Sequence, residues 1–219
     1  ELKITGSKSE SNRLLILQAL FPKIEIENLS NSDDTKVTKD ALNSSNSIIN
    51  IHHAGTAMRF LTAFFSIQPD REIILTGSER MQERPIKILV DALKDLGAEI
   101  SYSKKEGYPP LKIKGKKIIR SKVTLPANIS SQYISALMLI ATSLKDGLTI
   151  NLVGEMTSIP YIKMTKTILD QLGFDTSFKN NKIQIASASR IEPKIWKVES
   201  DWSSASYFYS ILALSKGGY

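Results

Sequence analysis

Two stretches of this chain read alike: Glu72–Ser103, EIILTGSERMQERPIKILVDALKDLGAEISYS, and Leu148–Lys179, LTINLVGEMTSIPYIKMTKTILDQLGFDTSFK. Laid over each other, Gly77 meets Gly154, Pro85 meets Pro160 and Leu96-Gly97 meets Leu172-Gly173, a repeat of 75–77 residues. Each copy opens with a strand-like run, passes a loop, sets Pro near a helix start and ends the helix at Gly. Pro suits a first helical turn because the N–H it lacks has no partner there, and Gly suits the position just past the end. Between these marks Ile86, Leu89, Val90 and Leu93, and Ile162, Thr165, Ile168, Leu169 and Leu172, recur at three- and four-residue spacing, one face of an amphipathic helix. Short alternating strands, Leu111–Lys114 and Lys182–Ile185, follow.

Ahead of each copy lies a second helix pattern, Ala57–Phe65 and Tyr133–Ala141, apolar nearly all round. A helix without a polar face has to be buried on every side. A shorter third unit comes first: buried helix Arg13–Leu20, strand Ile24–Glu27, second helix Asp34–Leu42 and strand Ser47–Ile51. The expected fold is therefore α/β, three units of βαβαββ type in pseudo-threefold array, helices inside and sheets outside. From Asp201 the pattern restarts, with Ser203, Ser204 and then Tyr207–Leu214, and stops at Tyr219; with Glu1 rather than Met in first place, this reads as a cut chain.

Composition narrows the functional classes. Apolar residues make up 42% of 219 and charged residues 23%, which excludes a disordered or fibrous chain. With no cysteine, disulfide scaffolds, thiolate zinc sites and cysteine nucleophiles are excluded. The only histidines, His52 and His53, are adjacent and without acidic spacing, and read as loop-packing or hydrogen-bonding groups rather than metal ligands. Apolar runs fall short of a membrane span. The net charge of +7 favours anionic partners. The basic stretch Lys112–Lys122 lacks an aromatic platform for nucleic acid and reads as a solvated hairpin.

The informative feature is what precedes each apolar helix: Gly6-Ser7-Lys8-Ser9-Glu10-Ser11-Asn12-Arg13, His53-Ala54-Gly55-Thr56-Ala57, Ile129-Ser130-Ser131-Gln132 and Asp201-Trp202-Ser203-Ser204. Any one of these is explained by ordinary N-capping. Symmetry-related helix starts brought to one pole would instead converge positive dipole ends, and a bound polyanion is their complement. Lys8 and Arg13 add charge there. In Glu79–Pro85 the acidic and basic residues read as a solvated loop, except Arg84, which is held extended before Pro85 and has a planar fork suited to carboxylate or phosphate. Ser158 and Tyr161 occupy the equivalent loop of the other copy.

Six motifs occur in order: Gly6-Ser7-Lys8-Ser9 with Asn12-Arg13, Ala54-Gly55-Thr56-Ala57-Met58-Arg59, Arg80-Met81-Gln82-Glu83-Arg84-Pro85, Ser130-Ser131-Gln132, Ser158-Ile159-Pro160-Tyr161 and Ser203-Ser204-Ala205-Ser206-Tyr207. With them the chain resembles the amino-terminal half of the 3-phosphoshikimate 1-carboxyvinyltransferase (EPSP synthase) family. The resemblance implies an inside-out α/β barrel of two lobes. Residues 8–200 would form one substrate-binding lobe, with 1–7 a strand of the other lobe and 201–219 its truncated start. It implies transfer of the enolpyruvyl group of phosphoenolpyruvate to the 5-hydroxyl of shikimate 3-phosphate, on the way to chorismate and aromatic amino acids, by addition and elimination without metal or other cofactor.

By the same resemblance Lys8, Ser9, Arg13, Ser130, Ser131, Gln132, Ser158 and Tyr161 contact shikimate 3-phosphate, Arg13 and Tyr161 at the ring and its carboxylate and the serines at the phosphate. Lys8, Gly55, Arg84 and Gln132 contact phosphoenolpyruvate. The family's proton-transfer Asp and Lys-Glu pair lie in the half that this sequence lacks, so no catalytic residue is assigned and the fragment alone is expected to be inactive. A cytoplasmic monomer, without nucleic-acid or membrane partners, is expected. Three departures stand out: His53 where the family usually has Asn, Phe60 where it often has Pro, and a first unit without its usual second strand pair, since Ala41-Leu42 runs quickly to Ile51. The alternatives are a UDP-N-acetylglucosamine 1-carboxyvinyltransferase, which shares the fold but typically has Lys-Asn where Lys8-Ser9 stand, and a non-catalytic phosphate-binding module.

Overall fold

The computed structural model describes residues 3–156, 158–188 and 190–215. In chain order its elements are α1 (Lys8–Leu20), β1 (Ile24–Glu27), α2 (Asp33–Asn43), β2 (Ile48–Asn50), α3 (Gly55–Ser66), β3 (Glu72–Thr76), the one-turn α4 (Glu79–Gln82), α5 (Lys87–Leu96), β4 (Glu99–Tyr102) and β5 (Leu111–Lys114). Then come β6 (Lys122–Pro126), α6 (Ser131–Ala141), β7 (Leu148–Val153), α7 (Ile159–Gln171), β8 (Thr176–Lys179), β9 (Lys182–Ile185), β10 (Lys194–Lys197) and α8 (Trp202–Leu214).

The sequence repeat is a repeat of topology. One sheet runs β2-β3-β5-β4 and another β6-β7-β9-β8, the same order with the same senses: parallel in the first pair, antiparallel in the others. Alternation buries one face of each strand, as in β5 (Leu111 and Ile113) and β9 (Ile183 and Ile185). Gly97 closes α5 at φ 111°, a left-handed conformation that a β-carbon would strain. The helices apolar on all sides, α3 and α6, are buried along almost their whole length and pack against each other and against α1.

The first unit departs from the expectation. The stretch Ser47–Ile51, read from the sequence as a second strand of that unit, instead supplies β2 to the second unit, parallel to β3. After α2 the chain has no residues left for a hairpin, so β1 is paired by β10, in parallel from Ile24↔Lys194 to Glu27↔Lys197. The first sheet is thus completed from the far end of the chain. Beside it the two terminal segments cross: Gly6 and Ser200 form an antiparallel bridge, Ser7 N–H donates to Glu199 O at 2.8 Å and Asp201 N–H to Thr5 O at 2.9 Å. The Glu10 carboxylate accepts from Trp196 Nε1 at 2.6 Å and from Glu199 N–H at 3.2 Å, which ties α1 to this crossing.

Three further readings change. The stretch 112–122 is no hairpin, because β5 and β6 belong to different sheets. Residues 115–121 instead run past helix C-termini, Lys116 N–H bonding Ser66 O of α3, and Ile119 and Arg120 N–H bonding Leu96 O of α5. The charged loop 79–85 contains the turn of helix α4, capped by Ser78 and anchored by buried Met81, whereas Glu79, Arg80 and Glu83 are exposed as expected. Finally, α8 has only Ala205 buried and presents Trp202, Tyr207, Ile211 and Leu214 outward. No helix among the described residues is long and apolar enough to cross a membrane.

Candidate functional site

A cleft of about 570 Å³ is lined by Ser7, Lys8, Ser9 and Arg13 of the α1 segment, Ser32 at the start of α2, Thr56 and Phe60 of α3, Ser130, Ser131 and Gln132 of α6, Tyr161 of α7, and Asp201 and Ser203 of α8. All but Arg13 and Phe60 sit at the cap or in the first turn of a helix, so the N-termini of six helices meet in one hollow. The topology compels this for the central helices, since equivalent helices of successive units enter from the same pole. The caps Ser32, Ser130 and Asp201 accept first-turn N–H groups of their own helices. The caps of α1, α3 and α7 do not, which leaves those first-turn amides without a side-chain acceptor.

The opposite ends are treated differently. The last carbonyls of α3 and α6 are bonded by Ser66, Thr142 and Ser143 hydroxyls and by Lys116 and Ala188 N–H. One pole is closed by the protein and the other is open to an anion. Among the described residues the Lys8 ammonium and the Ser9 and Ser131 hydroxyls engage no protein group, and they supply donors to the same hollow.

Arg13 is the most telling side chain. It is 3% exposed. Its Nε donates to Thr165 Oγ1 at 2.7 Å, Nη1 to Ser9 O at 2.7 Å, and Nη2 to Ser135 Oγ at 3.1 Å and Tyr161 O at 3.5 Å. These partners tie α1 to α6 and α7, and all are neutral. No carboxylate pairs with it among the described residues. Burial pushes its pKa down to about 10, opposed in part by Tyr161. A buried cation lacking its counter-ion inside a cleft is an anion receptor awaiting its ligand.

A second cationic group adjoins this hollow. The Arg84 guanidinium lies against Gly55, where a β-carbon would stand 2.6 Å from Nη1; Gly55 is the residue that lets the two approach. Beneath it Arg59, 4% exposed, donates to Gly55 O at 3.1 Å and Pro85 O at 3.4 Å, and burial lowers its pKa. Tyr133 donates to the same Pro85 carbonyl at 2.7 Å. Gln132 Nε2 reaches Thr56 Oγ1 at 3.3 Å, bridging α6 to the turn that carries Gly55.

Lys8, Ser9, Arg13, Ser130, Ser131, Gln132 and Tyr161 therefore come together as the sequence indicated. Ser158 does not line the cleft; it caps α7 at φ 58°, one turn before Tyr161. Gly55 and Arg84 also lie outside the lining, beside Thr56. Thr56, Asp201 and Ser203 fall within or next to the six motifs, and Arg59 within one of them, but the motifs give none of the four a role. Ser32, Ser135 and Thr165 carry no sequence signal for the site, because their places in it depend on packing between units. His52 has φ 50° and shapes a turn through its backbone, its carbonyl accepting from Ser78 N–H at 2.8 Å.

The family model for EPSP synthase (3-phosphoshikimate 1-carboxyvinyltransferase) matches residues 41–218. The chain belongs to the EPSP synthase family. It is 47% identical over 215 residues to a 3-phosphoshikimate 1-carboxyvinyltransferase of Bacteroides fragilis (strain YCH46), covering 98% of this chain and 52% of that protein. A Haemophilus influenzae relative of the same name is 37% identical over 244 residues, covering 97% of this chain and 56% of its own length. An EPSP synthase structure from Acinetobacter baumannii superposes with a TM-score of 0.80 at 21% identity, over 99% of this chain and 54% of that one, and shows the common fold. The chain spans about half the length of the curated relatives it matches.

Proposed function

We propose that this chain forms the shikimate 3-phosphate half-cleft of an enolpyruvyl transferase. The observation that carries the reading is Arg13, a buried guanidinium with no carboxylate partner among the described residues, in a hollow ringed by six helix N-termini. The free first-turn amides with Ser9, Ser130 and Ser131 suit a phosphate ester, and Arg13 and Tyr161 suit the ring and its carboxylate. Ser158, outside the lining, is assigned to the phosphate on its motif. Lys8 and Gln132 line this pocket, and Gln132 bonds Thr56 beside the Gly55–Arg84 turn, a set of donors that suits the phosphoenolpyruvate carboxylate and phosphate.

In the reaction the 5-hydroxyl loses its proton as its oxygen bonds to C2 of phosphoenolpyruvate, and the C2–C3 double bond opens to take a proton at C3. The C2–O bond to phosphate then breaks as C3 gives a proton back, releasing phosphate and restoring the double bond. Electrostatic placement of two polyanions would be this half's contribution. Residues 3–7 and 201–215, side by side at the Gly6–Ser200 bridge, would lead into a second lobe carrying the proton-transfer groups. The 219-residue chain is then expected to bind without turnover.

Calorimetry tests this with shikimate 3-phosphate, shikimate, inorganic phosphate and UDP-N-acetylglucosamine. The reading requires the first to bind more tightly than the other three. Equal binding of shikimate, or preference for the nucleotide sugar, would overturn it. A polyanion-binding module would instead bind nucleic acid with affinity falling steeply against log salt.

A further inference from the structure

Among the described residues the hollow around Arg13 holds no carboxylate paired with the guanidinium, and has an aromatic ring against it instead. Arg13 Cζ lies 5.5 Å from the ring centroid of Phe60, a residue of α3 that is 1% exposed and lines the same cleft. The other groups against the guanidinium are neutral: Ser9 O of α1, Ser135 of α6, and Thr165 and Tyr161 O of α7. The charged or titratable groups elsewhere in the lining are Lys8, Tyr161 and Asp201, the last already accepting from Ser203 and Ser204 N–H.

The face of an aromatic ring attracts a cation through its quadrupole, most strongly where water is excluded. A carboxylate would do so more strongly, but it would repel an arriving anion or have to be displaced by it. A ring carries no net charge and does neither. We propose that Phe60 is a positioning residue that holds the charged Arg13 guanidinium in place while the cleft is empty, leaving that charge uncommitted for an anionic ligand. The last clause rests on the proposed function; the pairing of ring and guanidinium does not.

The test replaces Phe60 in the 219-residue chain by mono-, di- and trifluorophenylalanine, which keep the ring's shape while weakening its quadrupole. The same series is made in an Arg13→Met background. Melting is expected to fall stepwise with fluorination in the parent, by about 2–4 °C at the trifluoro analogue, and to stay flat in the Arg13→Met series. Equal slopes in the two backgrounds, or none in either, would overturn the pairing and reduce Phe60 to filler. Because fluorination preserves shape, this arm does not depend on a truncated side chain at position 60 being tolerated. With saturating shikimate 3-phosphate the fluorine dependence should shrink, since the ligand then brings the counter-charge; an undiminished slope with ligand bound would overturn the stand-in role. Failure of the unmodified chain to bind that ligand would count against the proposed function alone, the ligand-free comparison still deciding for or against the pairing.

Discussion

Replacing Arg13 by Met should make the chain more stable and the cleft worse. Burial holds the Arg13 pKa down at about 10, well below the ordinary guanidinium value, so the fold disfavours the charged form by about 3 kcal/mol at about 1.4 kcal/mol per unit. Methionine fills most of the same volume without charge. The groups it leaves behind are not orphaned: Ser135 and Thr165 hydroxyls bond each other at 2.9 Å, and Thr165 Oγ1 donates to Tyr161 O at 2.9 Å. Poorer packing and the missing attraction of the Phe60 ring offset part of this. A net gain of about 1–3 kcal/mol is expected, as when other buried charges give way to apolar groups. That is a rise of about 2–8 °C in Tm for a domain of this size.

The same change removes a charge-assisted hydrogen bond to an anionic ligand, about 1.5–3 kcal/mol, and so weakens shikimate 3-phosphate about ten- to a hundredfold. Thermal denaturation and calorimetry on one preparation read both effects. A variant that melts lower than its parent would refute the view of Arg13 as an uncompensated charge. One that binds with the parent's affinity would refute its place in the site.

Gly55→Ala introduces no backbone strain, but its β-carbon would lie 2.6 Å from Arg84 Nη1, so the exposed guanidinium must swing aside. Tm should hold while phosphoenolpyruvate binding, measured with shikimate 3-phosphate present, weakens; unchanged binding would remove this turn from the site. Gly6→Ala meets the fixed carbonyl of Asn28 at 2.0 Å and should break the Gly6–Ser200 bridge, costing about 1–3 kcal/mol, with faster amide exchange at Ser7 and Asp201 as its sign. Leu137→Ala, at a fully buried place on α6, should cost about 2–5 kcal/mol in denaturant titration. Ile211→Glu with Leu214→Lys, both exposed on α8, should raise the solubility limit with little change in Tm.

The repeat was legible because it is written in local physics. Pro160 near the α7 start, Gly97 at the α5 end, the period of Leu89, Val90 and Leu93, and the all-apolar stretches that became α3 and α6 each reflect constraints acting within a turn or two of chain. From these alone come the units, the inner helices, the equivalent helix starts, and the motifs that mark Lys8, Ser131 and Tyr161. Pairing between distant segments left no such trace. That β10 would complete the sheet of β1, that β2 would leave the first unit for the second, and that 115–121 would seal helix ends instead of turning a hairpin are outcomes of competition among strand edges and carbonyls far apart in sequence. So too with the site. Sequence supplied the cationic and hydroxylated side chains; only packing of three units placed Ser135, Thr165 and Phe60 around Arg13, with no carboxylate among the described residues paired to it, because burial and counter-charge are properties of what surrounds a residue in space.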